Sequence, residues 1–274
     1  MPKVTVIIVK YKAEKELTAC LASLKKYHVI RVDNNKINRG YAAGNNLGAK
    51  QAKSEYLLIL NPDTVVSPRA IEFLTNFLDT HPKVGIVAPL LLDPAGPPYP
   101  LQGTRELTPL SGTFALSFLN RIPNPISRRY WLADWNKKVS RQVDVVPGTA
   151  FLIRRNLFTQ IGRFDEKFFL YFEEADLCRR VRQLGWEIYM CPQAKIMHTW
   201  GASTPKSSRI QAIFNASRFY YFRKHFGLFW AILIHIVCSF SLLWLAIILG
   251  TILRFYKLPS QMPFIGDQAW FYLA

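Results

Sequence analysis

The chain has 274 residues, half of them hydrophobic, and its 35 Lys and Arg against 18 Asp and Glu give a formal net charge of +17. This length allows one large domain with an additional segment. The basic composition favours contact with anionic lipid or phosphorylated substrates. Because the charge is spread along the chain and no known nucleic-acid-binding module is present, nucleic acid is not an expected partner.

Strand and helix signals alternate from Val4 to Ala88. Short apolar or β-branched runs predict buried strands, and apolar residues at helical spacing predict helices. Such an alternation predicts a doubly wound α/β sheet, in which ligands bind at the carboxyl ends of the strands. In chain order the predicted elements are a strand Val4–Val9, a helix Glu14–Lys26, a strand Val29–Val32, a helix Ala42–Ala52, a strand Tyr56–Leu60, a helix that is capped at Ser67 and runs to about Thr80, and a strand Val84–Ala88.

The glycines around the predicted second helix do not form a phosphate loop. The segment from Gly40 to Gly48 lacks the Walker lysine, and no GxGxxG motif follows the first strand. We therefore expect these glycines to permit close packing of the helix on the sheet.

Polar residues stand at the predicted strand ends. Tyr11 follows the first strand beside Lys10, Asp33 follows the second, and Asp63 follows the third. Asp63 suits a turn, but its place at a strand end favours binding of a hard divalent cation. For Asp33, an Asx-turn and a hydrogen-bond acceptor for a base or ribose are close to even. His198 is either structural or completes a metal site with Asp63.

The middle of the chain changes character between Asp93 and Asn136, where seven prolines occur with weak periodicity. This pattern is typical of a long functional loop or a partly ordered insertion. Strand-like runs then return at Val143–Val146, Ala150–Arg154, Glu187–Met190 and Lys195–His198. Among the four cysteines there is no CxxC pair and no metal-type spacing, so buried, reduced thiols are predicted for Cys20, Cys178 and Cys191.

The stretch from Phe164 to Arg180 contains five carboxylates and five aromatic rings. Asp176 has Arg180 four residues later, which favours an ordinary helix ion pair. Glu173 and Glu174 lie near the predicted start of a helix, where the helix dipole favours acids. The surrounding rings nevertheless imply that at least one of the two is buried, and buried unpaired acids are usually functional.

The carboxyl-terminal part predicts contact with a membrane. No Lys, Arg, Asp or Glu occurs for 29 residues between Lys224 and Arg254, which favours a transmembrane helix, with a long buried core helix as the alternative. The basic and aromatic residues that precede it are typical of an amphipathic helix on an anionic membrane surface, and they place the large domain on the cytoplasmic side. The predicted boundaries are a large domain at 1–204, the amphipathic basic helix at 205–225, and the transmembrane helix with a short tail at 226–274.

Several segments, taken together and in order, resemble one family: the inverting family 2 glycosyltransferases with the GT-A fold, especially the bacterial rhamnosyltransferase-like branch. The resemblance extends from about Val4 to Gly201. The matching segments are Val4–Tyr11, Val32–Asn34, Asn38–Asn46, Leu58–Val65, Pro147–Ala150, Ile161–Arg180 and His198.

The resemblance implies a GT-A type nucleotide-sugar-binding sheet flanked by helices, with a membrane-associated helical segment after it. It implies a nucleotide-sugar donor that contacts Tyr11, Asp33, Asn45 and Asp63. Asp63 would hold a divalent cation, Mg²⁺ or Mn²⁺, against the donor diphosphate, and His198 would be a further metal or diphosphate contact.

By the same resemblance Glu174 would be the general base, with Glu173 as its nearest rival. The expected function is transfer of a sugar to a hydroxyl of a polyprenyl-linked or other saccharide during synthesis of bacterial surface polysaccharide or glycolipid, on the cytoplasmic face of the plasma membrane. The alternative is a catalytically impaired relative that binds a nucleotide or a partner at the membrane. It is suggested by Glu174, where Asp is usual, and by a shortened segment after Asp33. A further departure from the family pattern is Lys10-Tyr11-Lys12 where Asn-Tyr-Asn is usual.

Overall fold

A mixed eight-stranded β-sheet flanked by helices organises the computed structural model, which describes residues 2–199, 207–239 and 250–251. The strand order is β2-β1-β3-β7-β5-β8-β4, and β6 pairs with β8. The strands are β1 (Val4–Lys10), β2 (His28–Asp33), β3 (Tyr56–Leu60), β4 (Thr64–Val66), β5 (Val84–Leu92), β6 (Arg141–Gln142), β7 (Ala150–Arg154) and β8 (Glu187–His198).

Helices cover both faces of this sheet. Successive residues of β1 alternate between two apolar clusters: Ile7 belongs to one, and Val6 and Ile8 belong to the other. This alternation shows one core on each face, as expected for a pleated strand. The helices are α1 (Glu14–Ser23), α2 (Gly40–Gln51), α3 (Ala70–Thr80), α4 (Pro109–Ala115), α5 (Pro125–Tyr130), α6 (Arg155–Gln160), α7 (Glu173–Gln183), α8 (Ser208–Phe226) and α9 (Leu228–Ser239), with a 3₁₀ helix at Phe118–Arg121.

The predicted α/β sheet with helices on both faces is present, but its strands are not all parallel. β1 runs parallel to β2 and β3, and β5 runs parallel to β8, but β7 is antiparallel to both of its neighbours, β3 and β5. Because β7 is antiparallel, its first residue, Ala150, pairs with Leu60 at the carboxyl end of β3. The segment just before β7 is thereby brought to the edge of the sheet where ligands are expected.

The glycines of α2 confirm the packing role predicted for them. A Cβ atom on Gly44 would lie 2.7 Å from Val9 Cγ1, and one on Gly48 would lie 2.5 Å from Ile7 Cγ2. Both distances are too short for a side chain. These two glycines therefore allow α2 to lie directly on β1.

Several predicted boundaries change. α3 begins at Ala70 rather than at a Ser67 cap, because Arg69 adopts a left-handed conformation with φ 62° immediately before it. The proline-rich segment contains α4, the 3₁₀ helix and α5, which are too short to give a periodic signal. Val143–Val146 forms only an isolated bridge, between Val145 and Thr104, instead of a strand. Cys20, Cys178 and Cys191 are buried free thiols, as predicted.

The helices α8 and α9 pack against each other on either side of Gly227. One face of α8 rests on the large domain: Ser217 Oγ donates to Leu170 O at 2.8 Å, and Tyr221 OH donates to Leu107 O at 3.0 Å. Phe222 is fully buried. Aromatic residues that the sequence assigned to a membrane surface are thus partly packed inside the protein. In the described parts of the chain no helix is both long and apolar enough to cross a bilayer, and most of the predicted transmembrane segment lies outside those parts.

Candidate active site

Asp63 and His198 are brought together by the short strand β4. Asp63 immediately precedes β4, and the antiparallel pairing of β4 with β8 sets Thr64 opposite His198. His198 Nε2 lies 3.4 Å from Asp63 Oδ1, and both side chains are buried. The Thr199 amide donates to Asp63 O at 2.9 Å, which closes the turn. The two residues predicted to share a metal are therefore in contact.

Tyr99 supports this pair from the proline-rich segment. Its hydroxyl donates to His198 O at 2.7 Å, and its ring meets the imidazole edge-on at a centroid distance of 6.1 Å. Gln102 fixes Tyr99 in turn, because its side-chain amide donates to Tyr99 O at 2.9 Å and also bonds the main chain of Leu91. Sequence reasoning missed Tyr99, since its segment has no periodic pattern from which a position could be inferred.

The pair offers one carboxylate and one imidazole to a cation. Among the described residues there is no cluster of three or more His, Cys, Asp or Glu side chains arranged for metal binding. Mg²⁺ is commonly held by only one or two carboxylates together with substrate phosphates. Asp63 and His198 therefore suit a cation shared with a bound diphosphate, rather than a site closed by protein ligands alone.

The backbone leading into α7 is strained. Tyr171 and Phe172 have φ angles of 71° and 67°, so two successive aromatic residues lie in the left-handed region that L-residues rarely adopt. No side chain caps the helix, and its first turn instead carries Glu173, Glu174 and Asp176. Strain of this kind persists only where the surrounding packing enforces it, and it is concentrated at functional sites.

Glu173 and Glu174 differ in exposure but share a buried carboxylate oxygen. Glu173 is 3% exposed, Glu174 is partly exposed, and the Oε2 atom of each is buried with no hydrogen-bond partner among the described residues. Burial raises the pKa of Glu173 well above its ordinary value, and the charge of Glu174 adds to the effect. Burial also raises the pKa of Glu174, against the opposing effect of backbone amides in its own turn. The pair is thus disposed to take up a proton.

Gly148 connects the two halves of the site. The Glu174 side chain lies 3.7–3.8 Å from where a Cβ of Gly148 would stand, which is ordinary contact distance. The Tyr41 hydroxyl donates to Gly148 O, and Thr149 O accepts from the Asn61 amide at 2.9 Å. Because Asn61 begins the turn that contains Asp63, the antiparallel β7 places the glutamates and the Asp63 turn at one edge of the sheet. Tyr41 and Gly148 both lie in segments that carried the family resemblance.

Asp176 has the opposite environment on the same helical turn. Its side chain is fully buried, and Arg180 donates to Oδ2 through Nε at 2.9 Å and Nη2 at 2.7 Å. Lys224 Nζ and His225 Nε2, both on α8, lie 2.6 and 2.8 Å from Oδ1. Burial alone would raise the pKa of Asp176, but the hydrogen bond with His225 and the charge of Arg180 lead the effects that lower it to about 2. The predicted ion pair with Arg180 is confirmed.

At the carboxyl ends of β1 and β2 the side chains are open to solvent. The Asp33 side chain is 60% exposed, with Oδ2 3.6 Å from Lys10 Nζ. Oδ1 accepts from the Asn35 amide at 2.7 Å, and this bond is the main cause of the lowered pKa of Asp33. The Asx-turn is therefore present, and it leaves the carboxylate accessible. Tyr11 is partly exposed at the neighbouring strand end, with Lys12 Nζ 5.4 Å from its ring centroid.

Asn45 occupies a different environment from the other predicted donor contacts. It is buried within α2, and its side-chain amide donates to Tyr41 O at 3.0 Å. Within α2 this bond holds the Asn45 side chain against its own helix, and the donor contact that the resemblance implies for Asn45 stays a prediction.

Residues 1–216 match the family described as "Glycosyltransferase like family 2". The chain belongs to this family and is a glycosyltransferase. It is 26% identical over 224 residues to an N-acetylglucosaminyl-diphospho-decaprenol L-rhamnosyltransferase of Mycobacterium tuberculosis, covering 75% of this chain and 71% of the relative. It is 27% identical over 218 residues to the low-salt glycan biosynthesis hexosyltransferase Agl10 of Haloferax volcanii, covering 71% of this chain and 66% of the relative.

These relatives agree with the rhamnosyltransferase-like branch of the family 2 glycosyltransferases. Among solved structures, S. aureus TarS aligns with a TM-score of 0.48 at 15% identity, covering 81% of this chain and 73% of that one. GalNAc-T7, solved with UDP, GalNAc and Mn²⁺, aligns with a TM-score of 0.49 at 14% identity, covering 94% and 59%.

Proposed function

We propose that this glycosyltransferase moves a sugar from a nucleotide-sugar donor to a hydroxyl group of a lipid-linked saccharide, with inversion at the anomeric carbon. The observation that carries the proposal is the position of Glu174. Its carboxylate has a buried, unpartnered oxygen and a raised pKa, and it lies against Gly148 at the sheet edge that also holds Asp63 and His198. The Mycobacterium tuberculosis relative is named as a rhamnosyltransferase for N-acetylglucosaminyl-diphospho-decaprenol, which supports the class of acceptor.

Glu174 acts as the general base in this proposal. It takes the proton of the acceptor hydroxyl while the hydroxyl oxygen bonds to the anomeric carbon from the face opposite the leaving group. The bond between that carbon and the diphosphate oxygen breaks, and its electron pair leaves with the nucleoside diphosphate. Since one displacement inverts the carbon, no side-chain nucleophile is required. Burial supports the step because it raises the proton affinity of Glu174 toward the working pH.

Asp63 and His198 would hold the divalent cation, Mg²⁺ or Mn²⁺. When bound, the cation neutralises charge on the departing diphosphate. The protein's own contribution is to fix both side chains at a buried strand end, with Tyr99 holding the main chain of His198. Asp33 and Tyr11, exposed at the neighbouring strand ends, would contact the nucleotide.

We further propose that the enzyme works at the cytoplasmic face of the plasma membrane, in the synthesis of a surface polysaccharide or glycolipid. α9 supports this location, because Phe229 is 70% exposed and Leu228, Ile232 and Ile236 are also exposed. Exposed apolar side chains on a helix beside basic residues favour the membrane interface. Arg223, exposed near the end of α8, is one such basic residue.

The direct test is transfer by the purified full chain. A panel of labelled nucleotide sugars would be incubated with a saccharide linked to a short prenyl diphosphate, with Mn²⁺ or with EDTA. We expect cation-dependent transfer from one donor, and a product whose anomeric configuration, read by NMR, is opposite to that of the donor. A product with retained configuration would contradict the mechanism. Nucleotide binding without transfer from any donor would favour the alternative, a catalytically impaired nucleotide-binding or partner-binding membrane protein.

A further inference from the structure

A buried arginine on α8, Arg218, has no counter-charge among the described residues. Arg218 is 3% exposed, and its Nε and Nη2 atoms have no hydrogen-bond partner in the part of the chain that the structure describes. Within that part, the ion pairs made by α8 belong to Lys224 and His225 instead. Burial lowers the pKa of Arg218, but a guanidinium remains charged at neutral pH. A buried, unpaired charge opposes folding, so its presence calls for a partner.

Its surroundings connect it to the active site. The Arg218 Cζ atom lies 5.9 Å from the centroid of the Phe214 ring. The same ring packs on Tyr171 and Phe172, at centroid distances of 5.4 and 5.0 Å. Phe172 immediately precedes Glu173. A single aromatic ring therefore separates Arg218 from the strained turn that leads to the proposed base.

The other wall of this region comes from α9. His235 packs edge-on against Phe219, the neighbour of Arg218, at a centroid distance of 5.8 Å, and its Nδ1 atom is buried with no partner among the described residues. Cys238 lies one turn further along α9. Burial raises the pKa of Cys238, so its thiol is neutral and does not balance the arginine. Among the described residues, Arg218 on α8 and His235 on α9 thus each have polar atoms without a hydrogen-bond partner, and the two helices pack against each other.

We propose that Arg218, together with His235, binds the diphosphate of the lipid-linked acceptor. This inference rests on the proposed function and names where its substrate's anionic group is held. A guanidinium presents a fork of donors that matches phosphoryl oxygens. The exposed apolar residues of α9 offer a surface to the lipid chain, and the Phe214 ring connects Arg218 to Phe172, the residue before Glu173.

The alternative to a bound ligand is an ion pair between Arg218 and an acidic residue of the same chain. Asp267 is the one Asp or Glu in the sequence outside the described residues. The two possibilities predict opposite effects on stability. If Arg218 awaits a ligand, R218M removes an uncompensated charge and leaves the melting temperature of the ligand-free protein unchanged or higher. If Asp267 is the partner, R218M and D267N each lower it, and that result would overturn the proposal.

Binding can be measured with farnesyl diphosphate as the probe, on the full chain in detergent. We expect the Kd of R218M to be about tenfold to a hundredfold higher than that of the original protein, as for loss of a hydrogen bond to a charged group. R223M, which removes an exposed arginine from the same helix, should change Kd by less than about twofold. Equal Kd values for R218M and R223M would overturn the site. Should R218M not fold, R218K keeps the charge without the fork: the same loss supports the site, and unchanged binding overturns it.

Two comparisons identify the source of the anion. Farnesol, which lacks the diphosphate, and inorganic pyrophosphate, which lacks the lipid, should each bind more weakly than farnesyl diphosphate. Phosphatidylglycerol vesicles should compete poorly for the site. Competition by the vesicles as strong as that of farnesyl diphosphate would assign Arg218 to membrane lipid and overturn its assignment to the acceptor.

Kinetics separate this inference from the proposed function. For R218M, the preference for a saccharide linked to prenyl diphosphate over the alkyl glycoside of the same saccharide should fall by about tenfold or more, through KM. An unchanged preference in an active enzyme would overturn the site and leave the function standing. Absence of transfer by the original protein would count against the function, while the binding of farnesyl diphosphate would still test Arg218.

Discussion

The first turn of α7 holds buried acids in two opposite states. Glu173 and Glu174 each have a buried oxygen without a partner in the described structure, and their pKa values are raised. Toward α8, Asp176 is contacted by Arg180, Lys224 and His225, and its pKa falls to about 2. Burial is common to both sides. The partners decide whether a buried acid stabilises the fold or remains available to take a proton.

The two sides depend on each other. Unpartnered glutamates make the start of α7 costly, as does the strained backbone at Tyr171 and Phe172. The Asp176 network ties the same turn to α8 and offsets part of that cost. We therefore expect substitutions of Glu173 or Glu174 to affect mainly catalysis, and substitution of Asp176 to affect mainly stability.

The largest expected effect is on catalysis, when Glu174 is changed. E174Q keeps the size of the side chain but cannot accept the acceptor's proton, so kcat should fall by roughly 10²- to 10⁴-fold. Donor binding, measured by calorimetry, should stay close to that of the original enzyme because Glu174 lies away from the exposed strand ends of β1 and β2. E173Q is the matched control, with a smaller loss expected. Near-normal turnover by E174Q would contradict the assignment of Glu174 as the general base.

The next largest effect is on stability, when the ion-paired Asp176 is changed. D176N leaves three cationic or polar partners around a neutral amide, and removing one partner from a buried ion pair costs about 3 kcal/mol. The loss should appear as a lower denaturation midpoint in urea. It should also shrink in acid: Asp176 stabilises the protein above its ordinary pKa of 3.8, and this contribution is lost as pH falls toward about 2. Equal stability of D176N and the original protein at pH 7 would contradict the role of this network.

Glu173 should show the opposite pH dependence. The pKa of Glu173 is higher in the folded protein, so its ionisation opposes folding, and stability falls as pH rises from the ordinary value of 4.5 toward the folded value. E173Q cannot ionise and escapes this loss. Its melting temperature relative to the original protein should therefore increase with pH above 4.5. A difference in melting temperature that is the same at every pH would show that the pKa of Glu173 is not raised by burial.

The smallest effect is expected at Asp33, an acid that belongs to neither state. Its side chain is 60% exposed, so D33N should change the free energy of unfolding by less than about 0.5 kcal/mol. Loss of one acceptor for the nucleotide should raise the donor KM several-fold, as for a hydrogen bond worth about 1 kcal/mol. An unchanged donor KM would show that Asp33 stabilises its turn but does not contact the nucleotide.

The sequence predicted this contrast better than it predicted the fold around it. The rings that flank Glu173 and Glu174 indicated burial, and the spacing of Asp176 and Arg180 indicated an ion pair, because both signals are local. The position of Gly148 beside Glu174 was not predictable. It depends on the antiparallel placement of β7 between β3 and β5, and no alternation of strands and helices reveals that pairing.

Two other contacts could not be predicted from local sequence patterns. Tyr99 meets His198 across 99 positions of sequence, from a segment whose helices are too short to be periodic. The aromatic residues of α8 have the composition of a membrane-surface helix, but composition cannot distinguish a lipid from a protein neighbour. Phe222 proved to be buried in the protein, whereas the apolar residues of α9 remain exposed.

The pH dependence of kcat/KM tests the central claim most directly. If Glu174 is the base, kcat/KM should rise with pH along an acidic limb whose apparent pKa lies above the ordinary glutamate value of 4.5, and the residual activity of E174Q should lack that limb. A profile that stays flat down to pH 4.5, or a limb that persists unchanged in E174Q, would contradict the account.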